Sequence, residues 1–375
     1  MKEPKNPFPV GVYSGPDSFC DRKEECKRLL MNAENGINTT MFSIRRMGKT
    51  GLLQHFLTLN QKKFFGIYVD LFATQNLRDF TNSLANAALL TFPEKTSFGT
   101  KLMDLIRSFR PVLSFDPLTS NPEVSFDFAN AAQQEQSLQA LFDFFEGQNK
   151  PVIVVFDEFQ QVRHYPEKNT EALLRTKIQQ LQNVHFVFCG SNRYLLVDIF
   201  NNSKKPFYTS TQFMQLAEID QVVYRKFIRK HLEKKNLQIS SEAIDFILEF
   251  TLCHTFYTQS VCNRIYAERI SSITLEDVKF VCHQLLLENE SMFYQYRQLI
   301  TRPQFSLLSA LAHEMKLVQP TAKNFISTYN LGTPASIKRS LTALMEKELI
   351  HNEGTKHNSY RVTDVFLLRW LQINF

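Results

Sequence analysis

From the N-terminus to about Leu216, apolar positions fall by turns into short continuous runs and helical spacings. Phe64-Phe65-Gly66-Ile67-Tyr68-Val69-Asp70, Val152-Ile153-Val154-Val155-Phe156 and Val184-His185-Phe186-Val187-Phe188-Cys189 are continuous, the pattern of strands buried on both faces. Residues 37–44 predict a further short strand. Leu52, Leu53, Phe56 and Leu57 fall on one face of a helix that begins at Lys49. Further helices are predicted from Ser18 and over about 76–91, 128–147 and 169–182, whereas Pro93, Pro111, Pro117 and Pro122 mark 92–127 as loop or hairpin. Strand and helix alternate, which predicts right-handed crossovers and a mostly parallel sheet.

Past Leu216 the pattern changes. Residues 218–296 hold helical periodicities and no convincing strand. From Thr301-Arg302-Pro303 onward the spacing predicts helices at about 303–314, 321–328 and 334–347. Two extended pieces follow, Leu349-Ile350-His351 and Tyr360-Arg361-Val362, around Gly354. Three helices and a β-wing predict a winged helix-turn-helix. The expected organisation is therefore an α/β core over 1–217, a helical lid over 218–300 and a winged helix over 301–375.

The composition, 43% hydrophobic and 21% charged, is that of a globular protein. The longest apolar run, Val152 to Phe156, is far too short to cross a membrane. The opening Met1-Lys-Glu-Pro-Lys-Asn lacks the apolar stretch of a secretory leader. The six cysteines show neither a C-x-x-C pair nor metal-ligand spacing, so reduced thiols and a cytoplasmic location are expected. A net charge of +6 over 375 residues identifies no nucleic-acid binder by itself.

The chemistry lies in Ser43-Ile44-Arg45-Arg46-Met47-Gly48-Lys49-Thr50. This is the phosphate-loop pattern G-x-x-x-x-G-K-[ST] with Ser43 in place of the first glycine. Gly48 lets the backbone curl so that amides point at phosphate oxygens, and the following helix aims its positive end there. Lys49 supplies a mobile charge, and the Thr50 hydroxyl is an oxygen ligand for Mg²⁺. Arg45, Arg46, Met47 and Gly51 complete the nucleotide-binding stretch. The second motif is the apolar strand ending in Asp157-Glu158. At its C-terminal edge Asp157 would serve Mg²⁺, and Glu158 would polarise an attacking water as general base. Glu158 and Lys49 are the catalytic candidates. Ser191 and Asn192, after the strand ending at Cys189, are candidates for sensing the terminal phosphate, although a residue here also suits a helix N-cap.

These residues resemble the prokaryotic ATPases of the AAA+/STAND class often called the archaeal ATPase family. The likeness rests on Asn6-Pro7-Phe8-Pro9-Val10, Phe19-x-x-Arg22-x-x-Glu25, Arg45-Arg46-x-Gly48-Lys49-Thr50 and Asp157-Glu158-Phe159-Gln160. It continues through Gly190-Ser191, Pro206-Phe207-Tyr208 and Asp364-x-Phe366-x-x-Arg369-Trp370. The resemblance implies a five-stranded P-loop NTPase sheet with a helical lid, ATP with Mg²⁺, and adenine near Pro9 and Val10. Two departures stand out: Ser43 in the loop, and Cys253-His254-Thr255-Phe256-Tyr257 where such proteins often carry Gly-His-Pro-Tyr.

The expected function is a slow Mg²⁺-dependent ATPase acting as a conformational switch. The alternatives are an ATP-dependent DNA-binding regulator and a nucleotide-bound protein-docking scaffold, both using the winged helix. Residues 300–375 carry nine Lys/Arg against five Asp/Glu, with Lys338 and Arg339 on the exposed side of the recognition helix and Lys356, His357 and Asn358 in the wing. Oligomerisation and the source of any arginine finger stay open.

Overall fold

The continuous apolar runs become strands of one all-parallel sheet. The computed structural model describes all residues except 1–5, 12, 94, 110–111, 116–121, 129 and 355–357. By contact the chain divides into two units, one of Arg22–Ser43 and Gly48–Ala217, the other of Met1–Asp21, Ile44–Met47 and Glu218–Phe375.

The first unit runs α1 (Lys23–Glu34), β1 (Thr39–Phe42), α2 (Lys49–Asn60), β2 (Phe65–Asp70), α3 (Leu77–Thr91), α4 (Ser97–Ser108), β3 (Val112–Phe115), β4 (Pro122–Ser125), α5 (Ala131–Glu146), β5 (Val152–Asp157), α6 (Thr170–Ile178), β6 (Val184–Gly190), α7 (Arg193–Asn201) and β7 (Gln212–Gln215). The sheet order is β2-β5-β6-β1-β7. The pairings are parallel throughout. Every residue of β5 is buried, as a continuous apolar run requires. Asp70 pairs with Asp157 and Phe42 with Gly190, so the carboxyl ends of four strands line one edge. Phenylalanines fill the core. Phe159 and Phe188 stand 4.6 Å apart, Phe188 and Phe200 4.9 Å, and Phe200 and Phe207 5.2 Å.

Two elements differ from expectation. Within 92–127 lies not only the antiparallel hairpin β3–β4 but also α4. Thr96 caps that helix by accepting from the Gly99 amide at 3.0 Å, and Leu102, Met103 and Ile106 form its buried face. The fifth strand, β7, buries only Met214, so no apolar run announces it.

The second unit runs α8 (Gln221–Glu233), β8 (Gln238–Ile239), α9 (Ser241–Thr251), α10 (Thr255–Glu268), β9 (Ser272–Ile273), α11 (Leu275–Gln298), α12 (Arg302–Glu314), α13 (Lys323–Thr328), α14 (Pro334–Glu346), β10 (Ile350–Asn352), β11 (Tyr360–Val362) and α15 (Val365–Asn374). A two-residue parallel pair, β8–β9, stands where helices alone were expected. Helices α12 to α14 followed by antiparallel β10–β11 make the winged helix. Helix α15 was not anticipated. Asp364 caps it by accepting from the Leu367 amide at 3.0 Å, and Val365, Phe366, Leu368 and Trp370 are buried. It ties the winged helix to the lid helices: Arg369 Nε donates to the Phe250 carbonyl at 2.9 Å and Trp370 Nε1 to Glu290 at 3.1 Å. Residues on both sides of Ile300 thus share one hydrophobic core, which also takes in Phe8 and Cys20. No helix among the described residues is long and apolar enough to cross a membrane.

Candidate nucleotide site

In the first unit, β1 delivers the chain to Ser43, and α2 departs from Gly48. Gly48 has φ 93, a left-handed conformation natural only to glycine, and it opens α2 without a side-chain cap. A helix N-terminus capped by no side chain suits an anion. Buried Lys49 donates from Nζ to the Ser43 carbonyl and to Ser43 Oγ, each at 3.3 Å. The serine that replaces glycine is thus a resting partner for the lysine.

At the end of β5, Asp157 Oδ2 accepts from Thr50 Oγ1 at 2.8 Å and from Tyr68 OH at 2.6 Å. A hydroxyl and a carboxylate at this separation are the hard oxygen donors that Mg²⁺ takes, so the residues present fit the ion. Tyr68 escaped the sequence reading, because on an apolar strand it looks like a core aromatic. Burial and then the Asp157 charge raise its phenol far above the ordinary value, so it is a pure donor here. Two residues along the same strand β2, burial raises Asp70, with the Asp157 and Glu158 charges adding to the effect. Beneath them Cys189 is fully buried and its thiol is likewise pushed well up, first by burial and then by Asp157.

Glu158 adopts φ 53, a left-handed conformation that a non-glycine residue holds only under local constraint. Its Oε2 accepts from Ser191 Oγ at 3.0 Å, from the Ser191 amide at 3.4 Å and from Gln160 Nε2. Gly190 makes room for this: a Cβ there would stand 2.0 Å from Gln160 Oε1. The two sensor candidates therefore sit in different roles. Ser191 holds Glu158, while Asn192 caps α7 by accepting from the Leu195 amide at 3.1 Å.

In the second unit the loop residues Ile44–Met47 meet the start of α10. His254 Nε2 donates to the Arg45 carbonyl at 3.2 Å, and Thr255 Oγ1 donates to the Met47 carbonyl at 2.9 Å. The Arg46 guanidinium lies 4.5 Å from the Phe256 ring centre, and Arg45 Nη2 stands 2.7 Å from Glu348 Oε2. Burial lowers His254 to about 3, so the ring is neutral. The departure Cys253-His254-Thr255-Phe256 therefore still engages the loop, with Cys253 at φ 54 where glycine would be unstrained. Pro9 and exposed Val10 also lie in this unit, anchored by Phe8 against Phe227 and by Asn263 Nδ2 donating to the Phe8 carbonyl at 2.7 Å. On α14, Lys338 and Arg339 are exposed. Lys356 and His357 lie outside the described residues.

A parallel sheet with a Gly-Lys-Thr loop at one strand end and an Asp-Glu pair at another defines a P-loop NTPase with a C-terminal winged helix. Residues 19–251 match the model of an ATPase domain found predominantly in Archaea, and the chain belongs to that family. Residues 291–373 match a probable winged helix domain. An uncharacterized ATP-binding protein of Methanocaldococcus jannaschii is 21% identical over 303 residues, 73% of this chain and 78% of that one. Among solved structures, a Walker-type ATPase of Pyrococcus abyssi is similar with a TM-score of 0.67 at 19% identity, covering 98% of this chain and 99% of that one. The ORC2 protein of Aeropyrum pernix, solved with ADPNP and ADP, gives 0.58 at 13%, covering 99% and 97%. This chain is accordingly an ATP-binding protein of the ATPase type.

Proposed function

We propose that the chain is a Mg²⁺-dependent ATPase of low turnover that serves as a conformational switch. The observation that carries the reading is the cluster at one sheet edge, with Thr50 2.8 Å from Asp157 and the adjacent Glu158 held by Ser191. Lys49 would leave Ser43 for the phosphates, and the amides from Gly48 to Gly51 would face them. Thr50 and Asp157 would hold Mg²⁺, which when bound offsets charge on the phosphates. Glu158 would accept a proton from the attacking water, and Ser191 and Gln160 would keep its carboxylate aimed. Pro9 and Val10 would line the adenine.

The switch reading draws on the chain itself. Ile44–Met47 belong to the second unit, whereas Ser43 and Gly48 on either side belong to the first. Loading the loop therefore acts on residues of both through covalent continuity. Functionally we divide the chain into a nucleotide core (1–217), a lid (218–300) and an output domain (301–375). A second reading, duplex DNA contact by the output domain, is favoured by exposed Lys338 and Arg339 on α14.

Calorimetric titration of ATP with Mg²⁺ tests the main reading. Uptake by the wild type that is lost in Lys49→Ala supports it, and no uptake by the wild type ends it.

A further inference from the structure

Residues 225–235 hold six Lys/Arg against one Asp/Glu, an excess of five where the whole chain has an excess of six. They lie on α8 and just past its end. The helix buries Tyr224, Phe227, Ile228 and Leu232, so its charges are turned outward. Lys226, Lys230 and Lys234 are exposed and follow one another at four-residue spacing. That spacing stacks them on one helix face at intervals of about 6 Å. Lys235 is exposed beside them. Arg225 is paired with Asp245, and Arg229 Nη2 donates to Ser241 Oγ at 3.0 Å. None of the four lysines has an ion-pair partner among the described residues.

An ordinary solvated face mixes both signs. Lysines near a helix C-terminus also complement its dipole, which accounts for Lys230, Lys234 and Lys235 but not for Lys226 in the middle of α8. The field of the stripe is felt locally: burial, and then the Lys234 and Lys230 charges, lower His231, with Asp17 opposing. A lipid surface is a poor match, because an interfacial helix needs a free apolar face. That face of α8 lies in the lid core, and Val222 is its one exposed large apolar side chain. A regular polyanion matches better. One strand of a duplex carries a phosphate per about 3.4 Å of axis, so lysines about 6 Å apart meet roughly every second phosphate. The N-terminal approach to α8 also adjoins the wing, where Arg361 Nη1 stands 3.9 Å from Glu218 Oε1. A polymer laid on the lysines has the wing at one end of its path.

We propose that the Lys226-Lys230-Lys234 face of α8 binds a nucleic-acid backbone, following its phosphates without reading its bases. The contact belongs to the lid and needs neither Lys338 nor Arg339 of α14.

The test is the triple variant Lys226→Gln, Lys230→Gln, Lys234→Gln of the full chain, with an unchanged unfolding midpoint as the control for folding. A duplex of about 20 base pairs is titrated by fluorescence anisotropy between about 50 and 200 mM salt. The slope of log K against log salt is expected to shrink by about 2.7, which is about 0.9 for each lost phosphate contact. Affinity at the low-salt end should fall about tenfold or more. Lys226→Gln alone should remove about 0.9 of the slope and repeats the test with one exposed substitution. A triple variant with the wild-type slope, beside a Lys338→Ala, Arg339→Ala variant that loses it, overturns the proposal and leaves the duplex reading of α14 standing. A wild type that binds no duplex at about 50 mM salt overturns both. Polyglutamate bound as tightly as duplex would mark an acidic-protein surface instead. Capture on phosphatidylserine vesicles that the triple variant abolishes would mark a lipid surface. Either result overturns the nucleic-acid assignment.

Discussion

Arg45 of the phosphate loop and Glu348, at the entry to the wing, form an ion pair of 2.7 Å. Each side chain is about half exposed, at 58% and 42%, so the pair is worth less than about 1 kcal/mol of folding stability. Its interest is positional, since the same loop carries the residues proposed to cradle phosphate. In Glu348→Gln the unfolding midpoint should barely move, whereas ATP affinity should rise by up to about fivefold as Arg45 is released, a change of roughly 1 kcal/mol. An unchanged calorimetric Kd would separate the ion pair from nucleotide binding.

Glu158→Gln keeps the shape of the residue and removes its basicity. ATP uptake should stay within about twofold of wild type while phosphate release falls by about a hundredfold or more. Ser191→Ala should lower the rate less, because Gln160 still holds the carboxylate. Turnover unaffected by Glu158→Gln would favour a scaffold that binds ATP without hydrolysing it.

Tyr68→Phe removes one of the two hydroxyl donors on Asp157 Oδ2 and keeps the ring. With the carboxylate less firmly oriented, the Mg²⁺ concentration for half-maximal ATP uptake should rise by about three- to tenfold, a cost of about 1 kcal/mol. A Mn²⁺ titration followed by electron paramagnetic resonance measures this directly. Equal affinities in the two proteins would make the tyrosine a packing residue only.

Gly190→Ala places a methyl group against the Gln160 amide. That amide ends a flexible side chain, so the protein should fold with little loss of stability while Gln160 swings away from Glu158. The expected signature is a lowered rate of phosphate release with an unchanged unfolding midpoint. A variant that unfolds early instead would show the strand end to be too rigid to yield.

His254 gives the pH prediction. Its folded value of about 3 lies below the ordinary 6.5, so the unfolded chain binds a proton in that window and the folded chain does not. Stability due to this residue is therefore complete above about pH 6.5 and declines as pH falls toward 3, by at most about 1.4 kcal/mol per unit. His254→Gln retains a donor for the Arg45 carbonyl and cannot titrate. Urea unfolding at pH 7.5 and 5.5 should show a smaller loss in the variant than in the wild type. His55, His185 and His231, also lowered by burial, titrate alike in both proteins and cancel from the comparison.

Much of this architecture was legible because its signals are local. The apolar run ending in Asp157-Glu158 and the Gly48-Lys49-Thr50 turn each state their own secondary structure and chemistry. What escaped depends on partners distant in sequence. Strand β7 is specified by pairing with β1, as Thr39 with Gln212, and not by its own composition. Helix α15 is apolar on nearly every side, so no amphipathic stripe marks it. Tyr68 becomes part of the site only because β2 and β5 are neighbours. The same holds for Glu348, whose pairing with Arg45 no motif encodes.

The order of the strands also bears on synthesis. Thr39 has Val187 on one side and Gln212 on the other, so β1 emerges from the ribosome with neither neighbour yet made. Until the chain has grown past Gln215, a strand whose four residues are all buried in the folded protein presents two bare edges, the kind of surface that associates with other nascent chains. Productive folding of this protein thus waits on the completion of its first two hundred or so residues, and holding factors that shield the early strands should raise its yield.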